Sequence, residues 1–137
     1  MSPPAVNYRV SPEVGNEALN ALFSVAWPHY SPRDFGPILA RSLCYLCAYR
    51  EGELVGFVNL AWDGGRHAFL LDTTVHPSCR RQGIGQRLVR QAVAVARESG
   101  VEWVHVDFEP HLYCFYASCG FQPTQAGLIY CGHLNRR

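Results

Sequence analysis

The chain has 137 residues, 48% of them apolar and 17% charged, and a formal net charge of +1. That length suits a single domain over 1–137 with one real core, while disorder and a membrane span are excluded, since apolar runs such as Leu54-Val55-Gly56-Phe57-Val58 are far too short to cross a bilayer. The balanced charge speaks against nucleic acid, and all twelve Lys+Arg residues are arginine, which excludes a phosphate-loop NTPase with its lysine and any Schiff-base enzyme.

Asn7–Val10 reads as a short strand. Ser11-Pro12-Glu13 suggests a helix start, and Leu19, Leu22 and Phe23 give the helix that follows an apolar face. Trp27-Pro28-His29-Tyr30 interrupts it. A second helix is expected to open with Ser31 as N-cap and Pro32 at its first position, ending near Ser42. Leu43–Arg50 and Leu54–Trp62 form a hairpin around Glu51-Gly52-Glu53, and Asp63-Gly64-Gly65 turns into a third strand, His67–Val75. Gly83–Ser99 is a helix with Ile84, Leu88, Ala92 and Val95 on one stripe and Gly100 as its stop. Trp103–Phe108 follows as a strand, Leu112–Cys119 as a short helix and Leu128–Leu134 as a last strand, which at a sheet edge would be able to pair with a second copy. The order β-α-α-β-β-β-α-β-α-β predicts a mixed sheet with helices packed on it.

Met1-Ser2-Pro3-Pro4-Ala5-Val6 carries no basic stretch and no apolar stretch of the signal-peptide kind, so a cytoplasmic setting with reduced cysteines is expected. Cys44-Tyr45-Leu46-Cys47 has the spacing of a redox or zinc motif. On a strand, however, side chains three apart point to opposite faces, and Cys114 and Cys119 diverge by about 140° on a helix. No metal site is expected, and the thiols read as small buried hydrophobes.

The informative stretch runs from Asp72 to Leu88: a strand, then His76-Pro77-Ser78-Cys79-Arg80-Arg81-Gln82-Gly83-Ile84-Gly85, then a helix. The first turn of a helix has main-chain N–H groups without intrahelical acceptors and a partial positive charge, glycines let a ligand approach the backbone, and Arg80 and Arg81 add full charges. The combination suits a diphosphate. It is not the dinucleotide fingerprint, because Leu88 stands where G-x-G-x-x-G requires glycine. Farther on comes Phe115-Tyr116-Ala117-Ser118-Cys119-Gly120-Phe121.

Arg80-x-x-Gly83-x-Gly85 after a strand ending Val75-x-Pro77, then Phe115-Tyr116-x-x-x-Gly120-Phe121 after the next strand, resembles the GNAT superfamily of acyl-CoA-dependent N-acetyltransferases. The order of elements matches over nearly the whole chain, and specific residues match from about Asp72 to Phe121. The resemblance implies an α/β (α+β) fold: a mixed, mostly antiparallel sheet flanked by helices, with a splayed parallel strand pair that binds acyl-CoA. Arg80, Arg81, Gln82, Gly83, Ile84 and Gly85 would wrap the coenzyme diphosphate with Gln86 and Arg87 close by. Pantetheine would lie in the gap beside Thr73, Thr74 and Val75, and a main-chain N–H near Thr73 or Val75 would polarise the thioester carbonyl. Tyr116 would protonate the departing thiolate. An aromatic on a short helix also serves as core, a task that Phe115 and Phe121 are placed to take instead.

The general base stays open between Asp72, on the strand beside the gap, and Glu109, at the end of strand 103–108, with His105, Asp107, His111 or an ordered water as alternatives. Strict alternation would put Asp72 on one face with Leu70 and Thr74, opposite Phe69, Leu71, Thr73 and Val75. In the family the loop holding Trp27, His29 and Tyr30 forms part of the acceptor pocket, although a Trp before Pro is equally a packing anchor. The implied activity is acetyl transfer from acetyl-CoA, with no metal, to a primary amine of a small molecule or peptide by direct attack in a ternary complex. Longer-chain acyl transfer and a non-catalytic acyl-CoA-binding module are the rivals. Nucleic acid and membrane are not expected partners, and a monomer or homodimer fits.

Overall fold

The structure, a computed structural model, describes residues 4–132 and divides into two compact units, Met1–Val106 and Asp107–Arg137. The first unit holds a five-stranded sheet in sequential order: β1 (Val6–Val10), β2 (Ser42–Arg50), β3 (Glu53–Trp62), β4 (His67–Val75) and β5 (Trp103–His105). Neighbours pair antiparallel except β4 and β5, which run parallel. The fold is the expected mixed, mostly antiparallel sheet flanked by helices.

Two helices precede β2, α1 (Asn16–Ala26) and α2 (Gly36–Ala40), and both begin later than their local sequence suggests. Ser11 does not start α1, because its N–H donates to the Tyr45 carbonyl at 2.7 Å and its hydroxyl accepts from the Tyr45 N–H at 3.3 Å. Ser31 does not cap α2, because the loop before the helix is bracketed from α1. Asn20 donates to the Arg33 carbonyl at 2.9 Å and accepts from the Arg33 N–H at 3.0 Å, while Asn16 accepts from the Phe35 N–H at 2.8 Å. Two asparagines one helical turn apart thus satisfy loop main chain that would otherwise form helix.

Leu19, Leu22 and Phe23 of α1 pack with Phe35, Cys47 and Phe57 on one side of the sheet. The phenylalanine rings meet edge to face, Phe23 to Phe35 at 5.1 Å and Phe23 to Phe57 at 5.8 Å. The other side is covered by α3 (Ile84–Glu98), which packs across β2, β3 and β4 and buries Ile84, Leu88, Val89, Ala92 and Ala96. Cys44 pairs with Leu60 and Cys47 with Phe57 in unbroken register, so the two thiols lie on opposite sides of the sheet. Both are buried, and burial pushes each thiol up to about 11. Among the described residues no three metal-ligating side chains gather, and no helix is long and apolar enough to cross a membrane.

Two expected strands are corrected. β5 is three residues long and not Trp103–Phe108, which leaves Glu109 four residues beyond the strand instead of at its end. The described part of the expected strand Leu128–Leu134 has no regular structure, and its residues 133 and 134 lie outside the described residues. In the second unit a short turn (Pro110–Leu112) leads into α4 (Tyr113–Ser118).

At Gly56 of β3 the side chains of α3 lie close against the sheet. A Cβ there would stand 3.0 Å from Leu88 Cδ1, 3.1 Å from Ile84 Cγ2 and 3.2 Å from Ala48 Cβ. Gly56→Ala is therefore expected to lower stability by about 1–3 kcal/mol through overpacking, read as a reduced midpoint in urea unfolding.

Candidate active site

Strand β4 carries one residue too many. Phe57 pairs with Thr74 and Asn59 with Leu71, so Asp72 and Thr73 together oppose Val58, and Asp72 takes the left-handed conformation with φ 58°. The bulge overturns the alternation expected for this strand. Thr74 pairs with Phe57 on the α1 side, as Leu71 does through Asn59, whereas Val75 pairs with Gly56 on the α3 side. The parallel ladder with β5 covers only His67–Phe69, so the bulged half of β4 lies beyond it. The parallel pair expected here is observed, and its ladder ends at Phe69. His76 N–H donates back to the Val55 carbonyl at 2.8 Å; since successive N–H groups point to opposite edges, that of Val75 faces away from β3.

After β4 the chain passes through a short turn (Pro77–Cys79) into the loop before α3. Arg81 and Gly83 are both left-handed, φ 64° and 83°, which curls the main chain into a concave turn at the helix start. Gly83 is the N-cap residue, and the N–H groups of Gly83, Ile84 and Gly85 have no acceptor within the helix. Arg80, Arg81, Gln82 and Gly83 are exposed, Gly85 and Gln86 are half-buried, and the Ile84 side chain is in the core, so only its main chain can serve a ligand. A residue missed in the sequence supports this loop from beneath: the Arg50 guanidinium donates to Gln82 Oε1 and, at 3.3 Å, to Cys79 Sγ. Its Nε is buried without a hydrogen-bond partner. Nothing in the motif points to Arg50, which lies on β2.

Arg80 links this loop to a second feature by donating to the Ala26 carbonyl at 3.3 Å, where α1 ends and Trp27 begins. There Trp27, Pro28, His29, Tyr30, Ser31, Arg33 and Asp72 line a cleft of about 440 Å³. The three expected acceptor-loop residues and Asp72 are brought together, and Trp27 is also an anchor: its Nε1–H donates to Thr74 Oγ1 at 3.0 Å, and Thr74 Oγ1 donates to the Asp72 carbonyl at 2.8 Å. The Tyr30 hydroxyl donates to Asn20 Oδ1 at 2.5 Å. Arg33, read from sequence only as part of a helix start, faces Asp72 with Nη1 to Oδ2 at 3.5 Å. Burial pushes the Asp72 carboxyl above its ordinary range, and Arg33 pulls it partly back.

In the second unit Tyr116 is the buried ring, stacked on Phe108 at 4.8 Å and edge-on to Phe115 and Phe121 at 4.8 and 5.9 Å. Phe115 and Phe121 are only half-buried, so they do not take its place in the core. Glu109 is exposed in this unit.

A mixed five-stranded sheet with one parallel pair, flanked by helices, is the architecture of GNAT-type N-acetyltransferases. The chain belongs to the Acetyltransferase (GNAT) family, whose model matches residues 15–121. A mycothiol acetyltransferase of Mycolicibacterium vanbaalenii is 38% identical over 66 residues, 48% of this chain and 22% of that protein. A probable glucosamine 6-phosphate N-acetyltransferase of Oryza sativa subsp. japonica is 40% identical over 58 residues, 42% of this chain and 35% of that protein. The chain thus matches about a fifth to a third of the length of these curated relatives. A GNAT-family acetyltransferase structure from Streptococcus pneumoniae superposes with a TM-score of 0.81 at 25% identity, covering 93% of this chain and 98% of that one.

Because its folded-state value is raised, the Asp72 carboxyl binds its proton more tightly in the folded chain than in the unfolded one. Its ionisation therefore costs no stability below the ordinary value of 3.8 and costs its full amount only above the raised value. Asp72→Asn, which tolerates the left-handed backbone, is expected to match wild type in Tm near about pH 3 and to exceed it by about pH 7. Thermal melts at the two pH values read the difference.

Proposed function

We propose that the protein is an enzyme that moves an acetyl group from acetyl-CoA to a primary amine by direct attack, with both substrates bound at once. The observation that carries this reading is the concave Arg81–Gly83 turn at the head of α3, tied through Arg80 to a cleft that holds the half-buried carboxylate of bulged β4. Donors directed outward from a helix start, with exposed guanidinium groups beside them, fit a diphosphate in chemistry and in shape.

In this reading Arg80, Arg81, Gln82, Gly83, Ile84, Gly85 and Gln86 hold the coenzyme, mostly through main chain. Thr73, Thr74 and Val75 border its acyl arm, and the Val75 N–H is the donor for the carbonyl oxygen. Acetyl-CoA, when bound, supplies an already activated thioester. The protein's work is then alignment and proton movement. Trp27, His29 and Tyr30 position the acceptor. Of the two candidate carboxylates Asp72 is the base, supported by its place in the cleft and its raised proton affinity; Glu109 has no comparable surroundings. As the C–N bond forms and the C–S bond breaks, Asp72 accepts a proton from the substrate nitrogen and Tyr116 donates one to the departing sulfur. The role of Tyr116 rests on its place in the family motif. Cys44, Cys47 and Cys79, buried as thiols, go with a reducing cytoplasm.

Release of free thiol from acetyl-CoA in the presence of an amine panel tests the activity. Asp72→Asn is expected to lower kcat by about 10²–10⁴-fold, the usual span for a lost proton-transfer group. Tyr116→Phe, which keeps the ring packing, is expected to lower kcat at least about tenfold while the coenzyme Kd holds. Unchanged turnover in either variant removes that residue from the mechanism.

A further inference from the structure

The cleft beside Asp72 is bipolar. Arg33 Nη1 and Asp72 Oδ2 stand 3.5 Å apart, and the two side chains keep 40% and 32% of their surface exposed to the cleft and solvent. A charge-assisted bond closes to about 2.7–2.9 Å, so this pair is a loose one, and a guanidinium has five donors to offer. The guanidinium is nevertheless held in place. It lies over the rings of Phe23, Tyr30 and Phe35 at 5.3, 5.5 and 5.4 Å, and Asn20 grips the Arg33 main chain from both sides. It is a preorganised cation at the mouth of a pocket whose task is to take up an amine. A simple alkylammonium entering there meets the like charge of Arg33 as soon as it reaches Asp72.

Building on the acetyl-transfer reading, we infer that the acceptor is a small amine bearing an oxyanion (a carboxylate or a phosphate) a few bonds from its nitrogen, the oxyanion held by Arg33 and the nitrogen by Asp72. Such a molecule bridges the pair by satisfying both members, and the volume of about 440 Å³ accommodates a small metabolite. The arrangement also couples recognition to chemistry. Arg33 is the group that pulls the Asp72 carboxyl down against burial. An oxyanion on Arg33 offsets that pull, and the substrate nitrogen takes the place of Arg33 as the partner of Asp72.

Matched amines decide the matter: glycine against glycinamide, phosphoethanolamine against ethanolamine, and glucosamine 6-phosphate against glucosamine, each assayed by thiol release from acetyl-CoA. At least one oxyanion-bearing member is expected to exceed the partner that lacks the oxyanion about tenfold or more in kcat/KM. Arg33→Gln should reduce kcat/KM for that member at least about tenfold more than for its partner, mainly through KM, with Arg33→Lys restoring part of the preference. Equal rates within every pair in wild type overturn the oxyanion assignment and leave acetyl transfer standing. Equal losses for both members in Arg33→Gln also overturn it, since they mark Arg33 as structural. Absence of thiol release with every amine overturns acetyl transfer instead. In that case thermal shifts with phosphoethanolamine still decide on Arg33: a shift in wild type that is lost in Arg33→Gln supports the assignment, and equal or absent shifts overturn it.

Discussion

The extra residue in β4 is the constraint from which the site follows. Were Asp72 and Thr73 matched one-for-one against β3, β4 would stay in register and its side chains would alternate to Val75. With one residue more, Asp72 turns left-handed and the strand twists locally. Thr74 then falls on the α1 side, where Trp27 ties it down, and Asp72 comes out into the cleft opposite Arg33. The same half of the strand lies beyond the three-residue ladder with β5. A single extra residue thereby brings the Asp72 carboxylate into the cleft and leaves the Val75 N–H turned away from β3.

Features of this kind are costly to the fold and kept for what they do. Asp72 is a half-buried carboxylate whose partner only partly offsets its desolvation. Arg50 leaves Nε without a hydrogen bond while it props Gln82 and Cys79 in the loop before α3. Arg81, a residue with a Cβ, sits at φ 64°. Around them the stabilising groups are conventional: edge-to-face phenylalanines on one side of the sheet and an aliphatic helix stripe on the other. The rigid sandwich holds the strained loop and bulge in place.

Much of this was legible in the sequence. Ile84, Leu88 and Ala92 recur at helical spacing and are buried in α3; His67–Val75 is β4 to the residue; Gly83 stands at the helix start with the positive φ that glycine favours. Trp27, His29 and Tyr30 of one loop and the distant Asp72 do line one cleft. What escaped detection depends on pairing partners. A bulge is a mismatch between two strands, so alternation within β4 alone misplaces Asp72 relative to Thr74. Asn16 and Asn20 look like ordinary polar positions of α1 until the loop that they bracket is in view, and without that bracket Ser31-Pro32 reads as a helix start. Leu128-Ile129-Tyr130 has strand-like composition, yet its residues are exposed and unpaired, because apolar content alone does not provide a neighbouring strand.

Amide hydrogen exchange over residues 73–85, with and without coenzyme A, tests the central claim most directly. If the concave turn holds the diphosphate and the opening beside β4 takes the acyl arm, coenzyme A slows exchange at Gly83, Ile84 and Gly85 and at Val75. Binding of coenzyme A that leaves those four amides exchanging as before contradicts the account.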